Sequence, residues 1–588
     1  MKAASLLGVF LLAKACVLAG RDMPLSVWTP LAYFWQDLLV VAVFALVEQV
    51  VRSRPVVWGL YALVAVYAAI NVPVARVLAT PLTVPLLRAA RGPLMDSIAY
   101  YVTWANVGLL ALVLTAAAVF PFLLPRCVPR LANQPRQPRW RIAILASTAI
   151  PVLILIGPVA RNRTDTVGLE RNCLVALVTS AFPHDPQDSA TFDATTDWRA
   201  SPFPGQAGED LTKHRGAASG RNVVVVHLES TAARYLRSYG ANEDPMPNLT
   251  RLAKGAILFE NAYAVYPESI KGLFSVLCST YPALDTAPED YEKITAPGLP
   301  AVLAAAGYRT ALFHSGRFHY LGMESIIRNR GYQTMEDAGA IGGDQDSSFG
   351  VDEPSTVRRM LAWIDSVPKG ERFLVTYLPI AGHHPYFVPE PGPFPDADDI
   401  NRCRNALHYA DAALGQLLQG LRDRGLDQNT LFVIFGDHGE AFGQHPGNFG
   451  HTVFIFEENV HVPFLIVAPR LITEPVRVRR VASLVDTAPT ILDLLGIESP
   501  GAYQGRSLLD AEPRMALFFT DYSLAFLGVR DGDWKLIHEI DSGRSKLFNL
   551  REDPEERRDC SALLPDRTAA YRDHLLGWAA AQRRLLKR

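Results

Sequence analysis

The sequence predicts an α/β protein in which helices cover both faces of a sheet. A helical transmembrane domain precedes this sandwich, and a small antiparallel subdomain follows it. Three observations indicate this fold class. Apolar stretches of bilayer-spanning length fill about the first 160 residues. Short β-branched runs alternate with helical patterns beyond residue 222, and short strand patterns separated by turns follow residue 510.

The composition fits a large protein that is partly embedded in a membrane. A chain of 588 residues, 49% of them hydrophobic, is too long for one compact domain. Its net charge of −2 argues against a nucleic-acid partner, because such binders usually carry a basic surface. Its six cysteines include no C-x-x-C pair, so neither a zinc ribbon nor a thioredoxin-like motif is visible.

Residues 1–160 predict a transmembrane domain of about five helices. The apolar stretches cover roughly residues 3–20, 31–51, 56–75, 97–124 and 141–160. Lys14 interrupts the first stretch, which could also be a cleaved signal peptide, and both alternatives leave the C-terminal part outside. Buried helices of a large soluble protein are the competing interpretation.

Loop charges predict the orientation of these helices. With the N-terminus inside, inner loops carry more arginine than outer loops, although Arg88 and Arg91 lie outside. We therefore expect a multi-pass protein of the cell (inner) membrane, with its catalytic domain on the periplasmic or extracellular side. Asp37 and Glu48 could line a polar path or simply mark the end of a span.

A polar connector, residues 161–221, leads to the main globular domain, residues 222–509. The connector is expected to hold one helix near residues 169–182 and no chemistry of its own. Strands of a parallel sheet are predicted in the globular domain at 222–228, 311–313, 373–377, 431–435 and 463–467. Helices are predicted at 247–255, 299–306, 354–367 and 401–424. Ligands of such sheets bind beyond the carboxyl ends of the strands.

Residues 510–588 predict a small subdomain of the catalytic unit. Strand patterns at 517–522, 526–530, 534–537 and 546–550 are separated by turns, and a helix is expected at 568–587. We expect an antiparallel sheet that packs against the main domain and could frame the mouth of the site.

Acidic and histidine side chains follow two predicted strands at this carboxyl edge. Glu229 follows the first strand, and Asp437 and His438 follow the strand LFVIF. Ser269 stands where a helix begins, at a position that stabilises anions. Together these four residues offer nitrogen and oxygen ligands for one divalent cation. A cation bound to the serine oxygen would lower its pKa and hold it as the nucleophile.

Each of these residues also has a simpler explanation when taken alone. Serine is a favoured N-cap, so Ser269 could only cap its helix. A carboxylate after a strand often caps the next helix, and a single histidine is often a hydrogen-bonded structural residue. The convergence of four compatible groups at one edge favours the metal site.

Loops at the same edge carry polar residues that could contact a substrate. The histidines among them are His314, His383, His384, His445 and His451. His383 and His384 are not both expected to face the site, because adjacent loop side chains rarely point the same way. Lys271 and Arg317 could neutralise a bound phosphate or sulfate, or be ordinary solvated charges.

These motifs resemble the sulfatase branch of the alkaline-phosphatase superfamily over roughly residues 222–560. The matching segments are NVVVVHLEST, PNLTRLA, FENAYA, GYRTALFHSG, GDHGE, EENVHVPFLIVAP, VDTAPTILDLLGI and LFNLREDPEE. With apolar stretches in front, the chain is most similar to the membrane-anchored lipoteichoic-acid synthase and phosphoglycerol transferase group.

This resemblance implies an alkaline-phosphatase-like α/β/α sandwich and assigns roles to the candidate residues. Glu229, Ser269, Asp437 and His438 would bind one metal ion, Mn²⁺ or Mg²⁺, with Ca²⁺ or Zn²⁺ as alternatives. Ser269 would be the nucleophile. The substrate-binding candidates are His314, His384, Lys271, Arg317 and His451, of which His314 and His384 match positions that contact the transferred group.

The segment around Ser269 departs from the hydrolytic sulfatases. Their nucleophile lies in a Cys/Ser-x-Pro/Ala-x-Arg pattern that permits oxidation to formylglycine. Lys271 and Leu273 occupy the second and fourth following positions here, so we expect an unmodified serine. Glu229 stands alone where many sulfatases have two aspartates, which suggests one metal ion. The tail segments GVRDGDWKLI and LFNLREDPEE, however, are more typical of true sulfatases.

Three functions are consistent with these observations. The leading hypothesis is a transferase in which Ser269 attacks a membrane phosphodiester, such as phosphatidylglycerol, and passes the group to a glycan hydroxyl or water. The second is a sulfatase or phosphodiesterase that hydrolyses esters. The third is an inactive binding or scaffold protein that keeps the fold. Membrane lipid or glycan is the expected partner, and no protein partner can be inferred.

Overall fold

The chain forms a bundle of apolar helices, an α/β domain and a small C-terminal sheet. The computed structural model describes residues 2–586 except positions 22, 24, 91–94, 128–138, 185–196, 206 and 345–348. Arg91 and the predicted inner loop at 128–138 therefore lie outside the described residues.

The N-terminal part consists of long apolar helices. They are α1 (Lys2–Leu18), α2 (Thr29–Val50), α3 (Arg54–Leu78), α6 (Trp104–Cys127) and α7 (Arg139–Arg163), with the short helices α4 (Val84–Ala89) and α5 (Met95–Tyr100) between α3 and α6. Four of them, α2, α3, α6 and α7, are long and apolar enough to cross a membrane. The predicted continuous stretch 97–124 is wrong at its start, because the helix is interrupted at residues 101–103.

Helix α1 is 17 residues long and packs against α2, α3 and α6. Lys14, which interrupts its apolar pattern, is buried, and its Nζ lies 3.3 Å from Asp37 Oδ2 in α2. The same ammonium group donates to the carbonyl oxygens of Leu169 and Glu170 at 3.1 and 3.0 Å. Asp37 also accepts from Asn172 Nδ2 at 2.6 Å. This polar pair therefore ties the connector to the helix bundle. The connector helix α8 (Cys173–Thr179) is shorter than predicted.

The α/β domain is built on one large sheet with strand order β11-β2-β10-β6-β1-β5-β3-β4, and β9 pairs with β2. Its strands are β1 (Asn222–Leu228), β2 (Ala256–Tyr263), β3 (Tyr308–His314), β4 (Thr334–Glu336), β5 (Arg372–Leu378), β6 (Thr430–Gly436), β9 (His461–Val462), β10 (Phe464–Val467) and β11 (Val476–Ser483). A separate two-stranded ribbon pairs β7 (Ala441–Phe442) with β8 (Phe449–Gly450). The prediction missed β2, β4, β9 and β11 of the large sheet.

Helices cover the two faces of this sheet. They are α9 (Pro247–Ala253), α10 (Ser269–Cys278), α11 (Leu299–Ala305), α12 (Met323–Ile327), α13 (Ala338–Ile341), α14 (Glu353–Ser366), α15 (Asp399–Asp423), α16 (Glu457–Val460) and α17 (Thr487–Leu495). Alternate residues of β1 belong to different cores, since Val223 packs in one and Val224 in the other. This explains why the strand NVVVVHL is continuously apolar.

The sheet is mixed, so the prediction of a parallel sheet is wrong at one strand. β1 is parallel to both β5 and β6, whereas β10 is antiparallel to β6 and β2. A parallel neighbour needs a crossover that carries the chain back to the opposite edge. Residues 437–463 contain no long helix and stay at the carboxyl edge of β6, so β10 must run in the reverse direction.

The C-terminal subdomain agrees with its prediction. The strands β12 (Ala516–Thr520), β13 (Phe526–Asp531), β14 (Trp534–Glu539) and β15 (Arg544–Asn549) form an antiparallel sheet. Helix α18 (Pro565–Leu586) packs on β13, β14 and β15. Trp578 of α18 is buried against Tyr281, which follows α10, so this subdomain supports the helix that begins at Ser269.

Candidate active site

The register of the two central strands places the acidic residues side by side. Leu228 of β1 lies opposite Gly436 of the parallel neighbour β6. Glu229 and Asp437 are the next residues of the two strands, and they leave the sheet at the same edge. His438 follows Asp437. Three of the predicted ligands therefore follow directly from the strand pairing.

Ser269 is the first residue of α10, but it does not cap the helix. Glu268 is the N-cap residue, and its carboxylate accepts from the backbone N–H groups of Ile270 and Lys271 at 2.9 and 3.1 Å. A carboxylate at this position also interacts favourably with the helix dipole. The interpretation of Ser269 as a cap is therefore wrong, and its side chain points to other partners.

The Ser269 hydroxyl lies among the three predicted metal ligands. Its Oγ is 2.7 Å from Asp437 Oδ2 and 3.0 Å from Glu229 Oε2. His438 Nε2 is 3.3 Å from the same oxygen. All three partners are buried. The structure thus brings together the four residues expected to form the centre.

Neighbouring groups hold these side chains in place. The Ser230 backbone N–H donates to Asp437 Oδ1 at 3.0 Å, and the Ser230 hydroxyl donates to Glu229 Oε1 at 2.8 Å. His438 Nδ1 lies 3.0 Å from the carbonyl oxygen of Gly439, which can only accept. His438 Nδ1 must therefore carry a hydrogen, and in the neutral ring the lone pair is on Nε2, which faces Ser269.

Burial and neighbouring charges shift the pKa of each residue in this cluster. Burial, followed by the nearby charge of Glu229, raises the pKa of Asp437 to about 7. Burial alone would also raise the pKa of Glu229, but the neighbouring imidazoles, above all His438, lower it to about 2. Burial opposes protonation of His438, yet the two carboxylates raise its pKa. A second negative charge is therefore unfavourable in the metal-free cluster, and a bound cation would stabilise it.

The donor set fits a divalent cation. The ligand atoms of Glu229, Asp437 and His438 all lie within 4.8 Å of one another. Among the described residues, His438 is the only basic side chain within ion-pairing distance of either carboxylate. A hard or borderline divalent ion would supply the missing positive charge and accept the His438 nitrogen.

A small cavity next to Ser269 contains two further histidines. His314 ends β3, and its Nδ1 lies 3.0 Å from the carbonyl oxygen of Leu378. Burial lowers its pKa, so the ring is neutral and its Nε2 can accept a proton. His227 lines the same cavity and was missed by the sequence analysis. Its position two residues before Glu229, on the same face of β1, was a usable signal.

His451 stands beside the predicted metal ligands. Its ring centroid is 4.1 Å from that of His438, and its Nδ1 lies 2.6 Å from Glu440 Oε2. Tyr386, which the sequence analysis missed, donates its hydroxyl to Glu440 Oε1 at 2.6 Å. Glu440 therefore orients His451 through its two oxygens.

His384 is covered by residues of the helical N-terminal part. The Tyr101 ring stacks on the His384 ring with centroids 5.1 Å apart and planes 4° from parallel. The Tyr100 ring contacts the same imidazole edge-on at 4.8 Å, and its hydroxyl donates to Asp399. No local pattern of the sequence indicated this contact.

Three other candidates have partners of their own or lie outside this cavity. Lys271 is buried, and its Nζ lies 3.1 Å from Asp521 Oδ2, so its charge is already neutralised and the solvated alternative is wrong. Arg317 lies in the turn after β3 and is not among the residues that line the cavity around Ser269. His445 is stacked on Phe456 and bonded to Glu458, outside the group around Ser269.

Comparison with known families agrees with this geometry. Residues 221–497 match the Sulfatase family model. Residues 446–563 match the model of the C-terminal region of N-sulphoglucosamine sulphohydrolase. The α/β domain is therefore similar to the sulfatase family over most of its length. In this chain a helical part with apolar helices precedes the sulfatase-like domain.

Curated relatives fall into two groups. A lipoteichoic acid synthase-like protein of Bacillus subtilis is 25% identical over 50% of this chain and 51% of its own length. Arylsulfatase K of Danio rerio is 30% identical over 36% of this chain and 45% of its own length. The chain thus spans about half the length of the curated relatives it matches.

Solved structures share the fold at low sequence identity. The lipoteichoic acid synthase of Listeria monocytogenes aligns with a TM-score of 0.51 and 19% identity, over 64% of this chain and 94% of that one. An alkaline-phosphatase-superfamily protein of Vibrio parahaemolyticus aligns with a TM-score of 0.53 and 20% identity, over 67% and 95%. The fold class expected from the sequence is confirmed.

Proposed function

We propose that this protein is a membrane-anchored, metal-dependent transferase of the outer face that moves a phosphoglycerol-type group through Ser269. The observation that carries this proposal is the Ser269 hydroxyl, whose oxygen lies within 3.3 Å of Asp437, Glu229 and His438. The similarity to lipoteichoic acid synthase proteins supports phosphodiester chemistry, and the four apolar helices support an anchor in the membrane.

In the first step, Ser269 Oγ attacks the phosphorus of a lipid phosphodiester. Its hydroxyl hydrogen points to Asp437 Oδ2 at 2.7 Å, which is the nearest acceptor. The bond between phosphorus and the lipid glycerol oxygen breaks, and that oxygen takes up the proton that Ser269 releases by way of Asp437. Diacylglycerol leaves as the alcohol, and a phosphoglycerol ester remains on the serine. A divalent ion held by Glu229, Asp437 and His438 would lower the pKa of the serine and stabilise the charge that develops on the phosphoryl oxygens.

In the second step, a glycan hydroxyl or water attacks the same phosphorus and releases Ser269. His314 is the residue we assign to accept the proton of the attacking hydroxyl. Its pKa is lowered by burial, its Nδ1 hydrogen is held by the Leu378 carbonyl, and it lines the cavity that contains Ser269. His384 and His451 are proposed to contact the transferred group.

Hydrolysis of a sulfuric or phosphoric ester is the second candidate. It is favoured by the match of residues 446–563 to the sulphohydrolase C-terminal region and by the arylsulfatase K relatives. The intact mass of the peptide that carries Ser269 distinguishes the two. A loss of two hydrogens means formylglycine and a sulfatase, whereas an unchanged serine supports phosphoryl transfer.

The test of the transferase uses the purified full chain with Mn²⁺ and phosphatidylglycerol labelled in its headgroup. We expect label on the Ser269 peptide, and Ser269→Ala should reduce turnover by more than about 1000-fold. Ser275→Ala is the matched control, because Ser275 lies on the same helix without contacting the site. If no lipid donor labels the wild-type protein, the transferase proposal is wrong.

A further inference from the structure

A second, larger cavity lies between the helical N-terminal part and the catalytic domain. Its volume is about 500 Å³, which is within the range of about 300–1,000 Å³ typical of small-molecule sites. Its lining comes from α4, from the connector at Ser180–Pro183, and from residues of the catalytic domain that flank Ser269. None of the candidate residues considered so far except Lys271 lines it.

The membrane-side wall of this cavity is apolar and held in place. Val84, Pro85, Ala181 and Phe182 contribute to it, and 67% of the Phe182 surface is exposed. The Val84 backbone N–H donates to Ser180 Oγ at 2.9 Å, which joins α4 to the connector.

This wall is also fixed to the catalytic domain and carries one cation. Thr83 Oγ1 donates to the carbonyl oxygen of Tyr522 at 2.6 Å. Arg88 of α4 lines the cavity and makes no ion pair with any described residue. Because α4 lies in the segment between two candidate membrane spans, α3 and α6, the apolar wall and its cation lie close to where lipid would be.

The opposite wall is polar and adjoins the nucleophile. Glu268 and Lys271, on either side of Ser269, line this cavity, whereas Ser269 lines the smaller one. In the same way, Leu321 lines the larger cavity and Met323 lines the smaller one. The two cavities are therefore neighbours, separated by these segments. The ion pair between Lys271 and Asp521 keeps this wall rigid.

We propose that this cavity binds the diacylglycerol side of an anionic glycerophospholipid whose phosphate faces Ser269. The apolar wall takes the first acyl carbons, the polar wall takes the glycerol backbone and its esters, and Arg88 attracts the anionic headgroup from the membrane surface. This inference rests on the proposed function, because the lipid that binds here is the donor whose diacylglycerol leaves in the first step.

The main test is photo-crosslinking of the full-length Ser269→Ala variant in lipid nanodiscs. The probe is phosphatidylglycerol with a diazirine near the acyl carbonyl. We expect crosslinks in peptides that contain Val84–Arg88 and Ser180–Pro183. Ala181→Trp, which fills the cavity from an exposed position, should reduce this labelling about tenfold, and Arg88→Gln about threefold. Val178→Trp is the matched control, since Val178 is 58% exposed and does not line the cavity.

Turnover by the wild-type Ser269 enzyme separates this inference from the proposed function. Ala181→Trp should raise the KM for phosphatidylglycerol about tenfold, whereas Val178→Trp should leave this KM unchanged. Crosslinks at other sites, or equal labelling of the Ala181→Trp and Val178→Trp variants, would overturn the inference. A raised KM for a glycan acceptor instead would show that the acceptor occupies the cavity. If turnover is absent but the crosslinks form as expected, only the proposed function fails.

Discussion

Among the described residues, two groups of one histidine and two carboxylates lie within the α/β domain and the C-terminal subdomain that packs on it. The serine-side cluster consists of Glu229, Asp437 and His438, and the lysine-side cluster consists of His445, Glu458 and Glu556. All six residues are buried. In the serine-side cluster, Asp437 accepts a hydrogen bond from Ser269. In the lysine-side cluster, Lys535 Nζ lies 2.9 Å from Glu556 Oε1, and Arg234 lies 3.6 Å from Glu458 Oε2.

The difference between the clusters is the source of positive charge. Burial and the nearby Glu229 raise the pKa of Asp437 in the serine-side cluster, where no described lysine or arginine forms an ion pair. In the lysine-side cluster burial likewise raises the pKa of Glu556, whereas the bonds of Glu458 to His445 lower the pKa of Glu458. Converging donor atoms and shifted pKa values therefore do not identify a metal site by themselves, and the two clusters differ in whether a described lysine or arginine pairs with the carboxylates.

The largest expected effect is the loss of metal from the serine-side cluster. Asp437→Asn removes one ligand and one charge. It should therefore lower Mn²⁺ affinity by more than about 100-fold, which is more than the loss of a residue that only hydrogen-bonds to a ligand would cost. Calorimetric titration of the metal-free chain measures this directly. Glu458→Gln is the control and should leave affinity and stoichiometry unchanged. A loss of bound metal in Glu458→Gln would contradict the assignment of the metal to the serine-side cluster.

Lys535→Met tests whether Lys535 supplies the positive charge of the lysine-side cluster. Removing the lysine leaves buried carboxylates unpaired, which should cost about 3–5 kcal/mol of folding free energy and lower the Tm of the catalytic domain. Lys546→Met, which removes a partly exposed pair with Asp165, should cost about 1 kcal/mol or less. We also expect divalent cations to raise the Tm of Lys535→Met more than that of the wild type. Equal Tm values for the two variants would contradict the role of Lys535.

The pH dependence of stability should come from the serine-side cluster. The pKa of Asp437 rises from 3.8 to about 7 on folding, so the folded metal-free chain binds more protons than the unfolded chain between these values. Its free energy of unfolding therefore falls as the pH rises through this window, and the raised pKa of His438 acts in the same direction.

Bound Mn²⁺ stabilises the ionised Asp437 carboxylate and so prevents this loss of stability at higher pH. The rise in Tm caused by Mn²⁺ should therefore increase between about pH 5 and about pH 8. Thermal melts with and without Mn²⁺ across this range measure the trend. In the Asp437→Asn variant the trend should be weaker, because only His438 still titrates against the metal. A rise in Tm that is independent of pH would show that Asp437 does not titrate against the metal.

The smallest expected effect concerns the Tyr101 ring that covers His384. The loop of the helical N-terminal part that contains Tyr101 stacks on His384 near the serine-side cluster. Tyr101→Ala should lower kcat/KM about threefold to tenfold by releasing His384, whereas Tyr101→Phe keeps the stacked ring and should restore most of the activity. Metal affinity should stay unchanged in both variants. Equal losses in Tyr101→Ala and Tyr101→Phe would rule out stacking as the cause.

Much of the serine-side cluster could be predicted because its ligands follow strands. Glu229 and Asp437 each come directly after a continuously apolar strand, and parallel strands bring such positions to one edge. To predict His227 one also has to note that it lies on the same face of β1 as Glu229. The capping role of Glu268 was harder to predict, because Glu and Ser at adjacent positions both suit an N-terminus.

Contacts between distant segments could not be predicted from local patterns. Lys271 pairs with Asp521, 250 positions later, so its spacing on α10 indicated only a charge on a helix. Tyr101 and His384 are likewise far apart in the chain, and Val84 of α4 bonds to Ser180, 96 positions later. The antiparallel direction of β10 depended on the absence of a crossover helix in residues 437–463, a signal that was present but not used.

The Glu268 cap has a consequence for how this enzyme can change. Because Glu268 already accepts from the backbone N–H groups at the start of α10, the side chain at position 269 is not needed to cap the helix. Serine can therefore be exchanged for threonine, cysteine or alanine without unravelling the helix that presents it. The side chain at position 269 can therefore change while the helix that carries it stays capped by Glu268.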